Sequence, residues 1–221
     1  MESRYDDEAF FSAYAKMERS QKGLAGAGEW YQLRPMIPDL SGLKVLDLGC
    51  GYGWHSEFAA ENGAEEVLGI DSSYRMIREA EKRNPDSRIR YRVCRIEDYD
   101  YPENAWDFVI SNLALHYVEN LSEVFRNVYK TLRPSGIFLF NIEHPSFTSG
   151  VNQEWIYRED GKKAYWPIDD YFYPGKRNTD FLGFAVEKYH HTLTQILMGL
   201  IENGFEIKAV EEAMPSKDVL D

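Results

Sequence analysis

Asp47-Leu48-Gly49-Cys50-Gly51-Tyr52-Gly53 follows a short apolar run, Lys44-Val45-Leu46, and precedes a helix-like segment from Trp54 to Asn62. A buried strand that breaks into a glycine turn and then a helix is how an α/β sheet opens a cradle for a nucleoside-bearing cofactor. Gly49 and Gly51 lack a Cβ, so the backbone can bend sharply there and come close to a ligand. The helix beyond would present unpaired N–H groups and the positive end of its dipole. The spacing also separates cofactors. A dinucleotide fingerprint, G-x-G-x-x-G, requires glycine at position 54; this chain has Trp54, and its third glycine falls one residue early at Gly53. An indole at that point argues against NAD or FAD, and so against an NAD-linked oxidoreductase.

Working outward, strand and helix patterns alternate. Val67-Leu68-Gly69-Ile70 reads as a second buried strand, ending in Asp71-Ser72-Ser73. A carboxylate at such a strand end can accept hydrogen bonds from both hydroxyls of a ribose, while Ser72 or Ser73 caps the next helix. That helix spans Tyr74 to Asn84, with Met76, Ile77 and Ala80 turned inward, and Pro85 halts it. Ile89–Cys94 and Trp106–Ser111 read as the next strands. Leu121, Val124, Phe125, Val128, Tyr129 and Leu132 trace a clear amphipathic helix. Arg133-Pro134-Ser135-Gly136 is read as a turn into a fifth buried strand, Ile137–Ile142. The alternation predicts an α/β fold: a Rossmann-like, doubly wound, mostly parallel sheet with helices on both faces.

Before the glycine strand, residues 8–22 read as one amphipathic helix, with Phe10, Ala13, Tyr14 and Met17 on one face and Lys16, Glu18 and Arg19 on others. A second short helix is expected within residues 24–40. After the fifth strand, residues 143–191 break the rhythm and concentrate aromatics among glycines, prolines and charges. An insertion of this length at the carboxyl ends of the strands suits a substrate lid. The last helix, Leu193–Ile201, is followed by an expected sixth strand, Phe205–Val210. The organisation predicted is one domain: a helical cap (1–42), a cofactor core (43–142), a lid (143–191) and a last helix and strand (192–221).

The bulk numbers agree with a single enzyme-sized domain. The chain has 221 residues, 43% of them apolar, which is enough to bury one full core. A net charge of −12 without dense Lys or Arg clusters argues against a nucleic-acid or membrane partner. Cys50 and Cys94, the two cysteines, fall in no metal-ligand spacing, so neither a disulfide framework nor a metal site is expected. The polar, acidic start has no apolar signal core, and no window is apolar enough to cross a bilayer, so a cytoplasmic setting is expected.

Taken together, the glycine turn, Asp71, the Ile96-Glu97 step, Trp106-Asp107-Phe108-Val109 and Leu132-Arg133-Pro134-Ser135-Gly136 resemble the motif series of class I S-adenosylmethionine-dependent methyltransferases, in order and spacing over residues 43–145. The branch resembled is the small-molecule group called methyltransferase type 11. The resemblance implies S-adenosylmethionine as methyl donor, with S-adenosylhomocysteine as product, and a small-molecule acceptor. Asp47 opens the motif. Gly49, Cys50 and Gly51 would run along the methionine and ribose, Asp71 beside Ser72 would hold the ribose, and Met76 would lie against adenine. Ile96 would offer its N–H to the ring, and Asn112 and Leu113 would meet the amino group and sulfonium.

Two departures stand out. Arg95 occupies the position where many members place an acid toward adenine, a role Glu97 could fill from two residues on. After Phe205–Val210 only residues 215–221 remain for the final antiparallel strand usual in the family, so either the sheet lacks a strand or the chain is cut short; an open edge would suit covering by a homodimer. Both features also fit a donor-binding regulatory or partner protein without transfer activity.

An acceptor hydroxyl or acidic carbon would require a base, and histidine suits neutral pH. His116 and His144 follow the fourth and fifth strands, and His190, beside His191, precedes the last helix. Tyr14 or Trp166 could face the cationic sulfur through a π system.

Overall fold

The computed structural model describes residues 3–150 and 154–213. A single 3-10 turn, Arg4–Asp6, leads into α1 (Glu8–Tyr14), whose first turn is capped by Asp7 accepting from Phe10 N at 2.9 Å. The expected helix over 8–22 is broken. The chain kinks through extended Met17 and restarts as α2 (Glu18–Lys22), followed by a 3-10 turn and the short α3 (Trp30–Leu33). The kink resets the helical period, so Arg19, assigned from the sequence to an outer face, comes to face the sheet's upper edge.

The core follows as read. β1 (Lys44–Leu48), α4 (Trp54–Glu61), β2 (Glu66–Asp71), α5 (Tyr74–Arg83), β3 (Ile89–Val93), β4 (Trp106–Asn112), α6 (Leu121–Thr131) and β5 (Leu132–Asn141) form one sheet of order β3-β2-β1-β4-β5, with every neighbouring pair parallel. Alternation within each strand sends Val45, Val67, Phe108 and Ile110 to the face covered by α3 and α4. Leu46, Leu48, Ile70 and Val109 go to the face covered by α6 and a later helix. Fully burying such a side chain stabilises the fold by roughly 1.5–3 kcal/mol, which makes this sheet a rigid floor.

Two further expectations are corrected. Arg133–Gly136 is not a free turn. It is a bulge inside β5, where the pairing register jumps between Trp106 and Phe108 and Ser135 takes a φ of 67°. The expected strand Phe205–Val210 does not form: residues 205–213 run irregularly after α8 (Leu193–Glu202). Phe205 and Ile207 still rest on the α6–α8 cluster, so apolar anchoring is met without a hydrogen-bonded ladder.

The insertion, in turn, has regular structure. It contains α7 (Pro145–Thr148), a small hairpin of β6 (Ile156–Tyr157) and β7 (Lys163–Tyr165), and a longer antiparallel hairpin of β8 (Gly175–Phe181) and β9 (Phe184–His190). The buried Arg177 guanidinium gathers it by donating to the carbonyls of Ser149 and Tyr173 at 3.0 and 2.8 Å. His191 ties the end of β9 to the core, its Nε2 donating to the Val118 carbonyl at 2.9 Å.

Candidate active site

The carboxyl ends of β1, β2 and β4 open into a cleft of about 1030 Å³, walled by the 3–19 segment on one side and β9 on another. Its floor is made by the glycine turn, but the glycines have different jobs. At Gly49 (φ +77°) an added Cβ would lie 2.3 Å from the Ala114 Cβ, so that glycine packs β1 against the loop after β4. At Gly51 (φ +53°) a Cβ would meet nothing within 4 Å; it would project into open space beside Asp71. Bare backbone in a conformation that favours glycine therefore forms the floor there, and a nucleoside-bearing donor fits against it.

Asp71 links this turn to the next helix, its two oxygens accepting from Gly51 N at 3.0 Å and Ser73 N at 2.8 Å. Each oxygen keeps a lone pair for a further donor. Burial pushes the Asp71 carboxyl up to about 6, against the pull of those two hydrogen bonds. Ser72 lines the cleft and bonds Ser3 at 3.1 Å, and Met76, 1% exposed, lies beneath. Ile96 and Glu97 line the far wall, with Glu97 paired to Arg95 at 2.7 Å. Asn112 donates to Glu29 at 2.9 Å and accepts from Asn141 at 2.9 Å. Beside it Leu113 is held at a φ of 53°, a conformation costing about 1–3 kcal/mol that its surroundings must enforce.

Two of the expected donor contacts lie elsewhere. Asp47 is 1% exposed and sits under the turn, accepting from Ser56 of α4 at 2.7 Å; burial raises its carboxyl to about 7. It braces the turn and does not line the cleft. Cys50 lines a separate hollow of about 70 Å³ together with Trp54, His55 and Leu24. That hollow shares Tyr14, Arg19, Gly49, Gly51 and Asn112 with the main cleft. Trp54 thus stands beside the glycine turn without closing the larger cavity.

The other end of the cleft is built from side chains. His116, 3% exposed, has its Nε2 3.8 Å from Glu143 Oε1, and the same oxygen accepts from Lys188 Nζ of β9 at 2.5 Å. His116 Nδ1 and Glu143 Oε2 are buried and have no hydrogen-bond partner among the described residues. Burial, with Lys188 nearby, holds the imidazole well below its usual range, so it is neutral at pH 7. The Tyr5 and Tyr117 hydroxyls meet at 3.1 Å, and the Tyr14 ring packs edge-on to Tyr5 at 5.3 Å.

The remaining histidine candidates are corrected. His144 is exposed, caps α7 and pairs with Glu212 at 2.7 Å. His190 is fully buried, with Nε2 donating to the Tyr171 carbonyl at 2.9 Å and Nδ1 accepting from Thr148 at 2.8 Å. Neither lines the cleft, and His190 has no nitrogen to spare. Trp166 stacks on Phe147 within the insertion.

Sequence reasoning missed Tyr5, Arg19, Glu143 and Lys188. Only Lys188 left a local signal, the alternation of Val186, Lys188 and His190 along one face of a strand. Arg19 pairs with Glu29 at 2.7 Å and lines both cavities, next to the glycine turn.

A five-stranded parallel sheet of this order, with a glycine turn and a strand-end acid at its switch point, defines a Rossmann-like nucleoside-cofactor protein. Comparison with known proteins makes that specific. Residues 46–140 match the family model "Methyltransferase domain". A crystal structure described as an S-adenosylmethionine-dependent methyltransferase from Mesorhizobium loti is 41% identical, with 90% of each chain covered and a TM-score of 0.82. One from Listeria monocytogenes, given the same assignment, is 44% identical over 90% of each chain, with a TM-score of 0.84. An uncharacterised Haemophilus influenzae protein is 32% identical over 96% of this chain and 86% of its own. The chain belongs to the class I S-adenosylmethionine-dependent methyltransferases; it is an enzyme, and S-adenosylmethionine is its methyl donor.

Proposed function

We propose that the enzyme methylates a small molecule at an atom that gives up a proton, with the donor on the glycine floor and the acceptor under the insertion formed by residues 143–191. The observation that carries this reading is the continuity of one cleft from Gly51 and Asp71 to His116 and β9. The donor supplies an electrophilic methyl group on a cationic sulfur. Asp71 would hold its ribose hydroxyls, Met76 and Ile96 would lie against the adenine, and Arg19 would meet the carboxylate at the methionine end. Asn112 and the strained Leu113 lie nearest the sulfur.

His116 acts as the base. With Glu143 on its Nε2 side, the favoured tautomer carries the proton there and leaves the Nδ1 lone pair free. Nδ1, buried in this structure, would have to turn toward the cleft, where it would take the acceptor's proton as the acceptor's electron pair forms the bond to the methyl carbon. The carbon–sulfur electrons remain on sulfur, and the resulting imidazolium is stabilised by Glu143. The aromatic walls and the roof exclude water from the transfer. Among the cleft-lining residues, acids outnumber Lys and Arg, which favours a neutral or cationic acceptor over an anionic one. The cleft's enclosure suits a compact acceptor better than a polymer.

The test is transfer from labelled S-adenosylmethionine to a panel of small hydroxyl- and amine-bearing compounds. Turnover that is lost in His116→Gln while S-adenosylhomocysteine still binds supports the reading. Undiminished turnover in that variant overturns the base assignment.

A further inference from the structure

We propose that Lys188 is a positioning residue through which the roof sets the state of the proposed base: it holds Glu143 beside His116 and keeps that ring neutral when β9 is docked. The proposal rests on the reading of His116 as the base, but it has its own geometry and its own readout.

β9 places Val186, Lys188 and His190 on its buried face. Lys188 is 4% exposed, although lysine is almost never so buried without a partner. Its ammonium has one ionic partner among the described residues, the Glu143 oxygen that also lies 3.8 Å from His116 Nε2. Two ring faces, Phe181 at 5.5 Å and Tyr117 at 6.0 Å, complete its surroundings. One carboxylate oxygen is thus shared between a cation from the insertion and the imidazole of the core.

The groups facing His116 come from three places. Tyr117 adjoins it, ring to ring at 4.4 Å, with the Tyr5 hydroxyl beyond; Glu143 comes from the segment after β5; Lys188 comes from β9. Both tyrosines are buried and held un-ionised, which leaves Glu143 and Lys188 as the charges that act on the ring. With both present their effects oppose. With Lys188 removed, the carboxylate left beside the ring would favour its protonated form.

The experiment follows His116 directly, with no acceptor needed. Full-length protein carrying isotope-labelled histidine is titrated by NMR in the presence of S-adenosylhomocysteine, and His116→Gln identifies the signal. In the wild type the ring should stay neutral down to the lowest pH at which the protein is folded. In Lys188→Met its midpoint should rise by at least about 1 pH unit, into the usual imidazole range. Lys188→Arg, which retains the charge, should behave as wild type. A Lys188→Met ring that remains as neutral as wild type, or a Lys188→Arg ring that titrates like Lys188→Met, would overturn the coupling. Should Lys188→Met not fold, Glu143→Gln decides: it must keep His116 neutral, and a raised midpoint there sinks the proposal. Failure of the base assignment would show separately, as retained transfer in His116→Gln with the coupling intact.

Discussion

The two ends of the cleft are built from different materials. The donor end is mostly backbone and strand-end residues from the central part of the chain: Gly49, Gly51, Asp71, and the residues at and after the ends of β3 and β4. The acceptor end is assembled from side chains far apart in sequence: Tyr5 against Tyr117, and Lys188 against Glu143. A backbone cradle tolerates few substitutions and varies little in chemistry. A side-chain wall can be rebuilt to suit another acceptor without touching the donor. The two ends should therefore fail differently when mutated.

The largest effect falls on transfer alone. His116→Gln should lower turnover by about 10²–10⁴-fold, the usual contribution of a general base, while calorimetric affinity for S-adenosylhomocysteine changes less than about threefold. A matching loss of donor affinity would blur the division between the two ends. Next comes the floor. Gly51→Leu puts a side chain into the cleft at a φ of 53° and should weaken donor binding by about 100-fold or more, with a stability cost of about 1–2 kcal/mol from the left-handed backbone. Gly49→Ala should show the reverse emphasis. Its Cβ would collide with Ala114, so thermal unfolding, not ligand affinity, is the readout, with about 2–4 kcal/mol expected for overpacking against backbone-anchored atoms.

The pH response sharpens the comparison further. Asp71 and Asp47 have carboxyls raised by burial to about 6 and about 7. Both values exceed those of the unfolded chain, so the folded state binds more protons between about pH 4 and 7. These two groups therefore make the fold more stable as pH falls through that window and less stable as it rises. Donor affinity should move the opposite way. Protonating Asp71 removes a lone-pair acceptor from the ribose site, so binding should weaken below about pH 6, and Asp71→Asn should flatten that dependence. Smallest of all, His190→Gln should cost about 1–2 kcal/mol of stability through its two lost hydrogen bonds, and exposed His144→Gln should change neither binding nor stability measurably.

The contrast also explains what could be read in advance. The parallel sheet and its alternation of strands and helices follow from local pattern: apolar runs, helical periods, and glycines where only glycine suits the backbone. Asp71 is legible as the acid that ends β2, whereas Met76, Ile96 and Asn112 are reached only through the resemblance to the family's motif series. Asp47 and Cys50 belong to the same motif but turn away from the cleft: alternation along β1 sends Asp47 toward Ser56 of α4, and the Cys50 sulfur packs against Gly69 of β2. The break at Met17, which swings Arg19 toward the cleft, has no strong stop signal in its neighbours. Glu143 and Lys188 meet across a 45-residue separation, and no local periodicity encodes such a pairing. His144 enters by its place after the fifth strand and His190 by its place before the last helix. Their partners, Glu212 and the Tyr171–Thr148 pair, become visible only in three dimensions. The expected strand at Phe205–Val210 has the right alternation, yet it makes no ladder with the edge strand β5 and is held by Phe205 and Ile207 packing alone.

Everything above depends on the backbone hollow beside Gly51 and Asp71 receiving the donor. Calorimetric titration of the full chain with S-adenosylhomocysteine, run beside Gly51→Leu, tests this directly. The account predicts saturable binding of one molecule per chain that disappears in the variant while its fold persists. Absence of binding by folded wild type at about millimolar ligand, a free energy no better than about −4 kcal/mol, or full binding by Gly51→Leu, would contradict it.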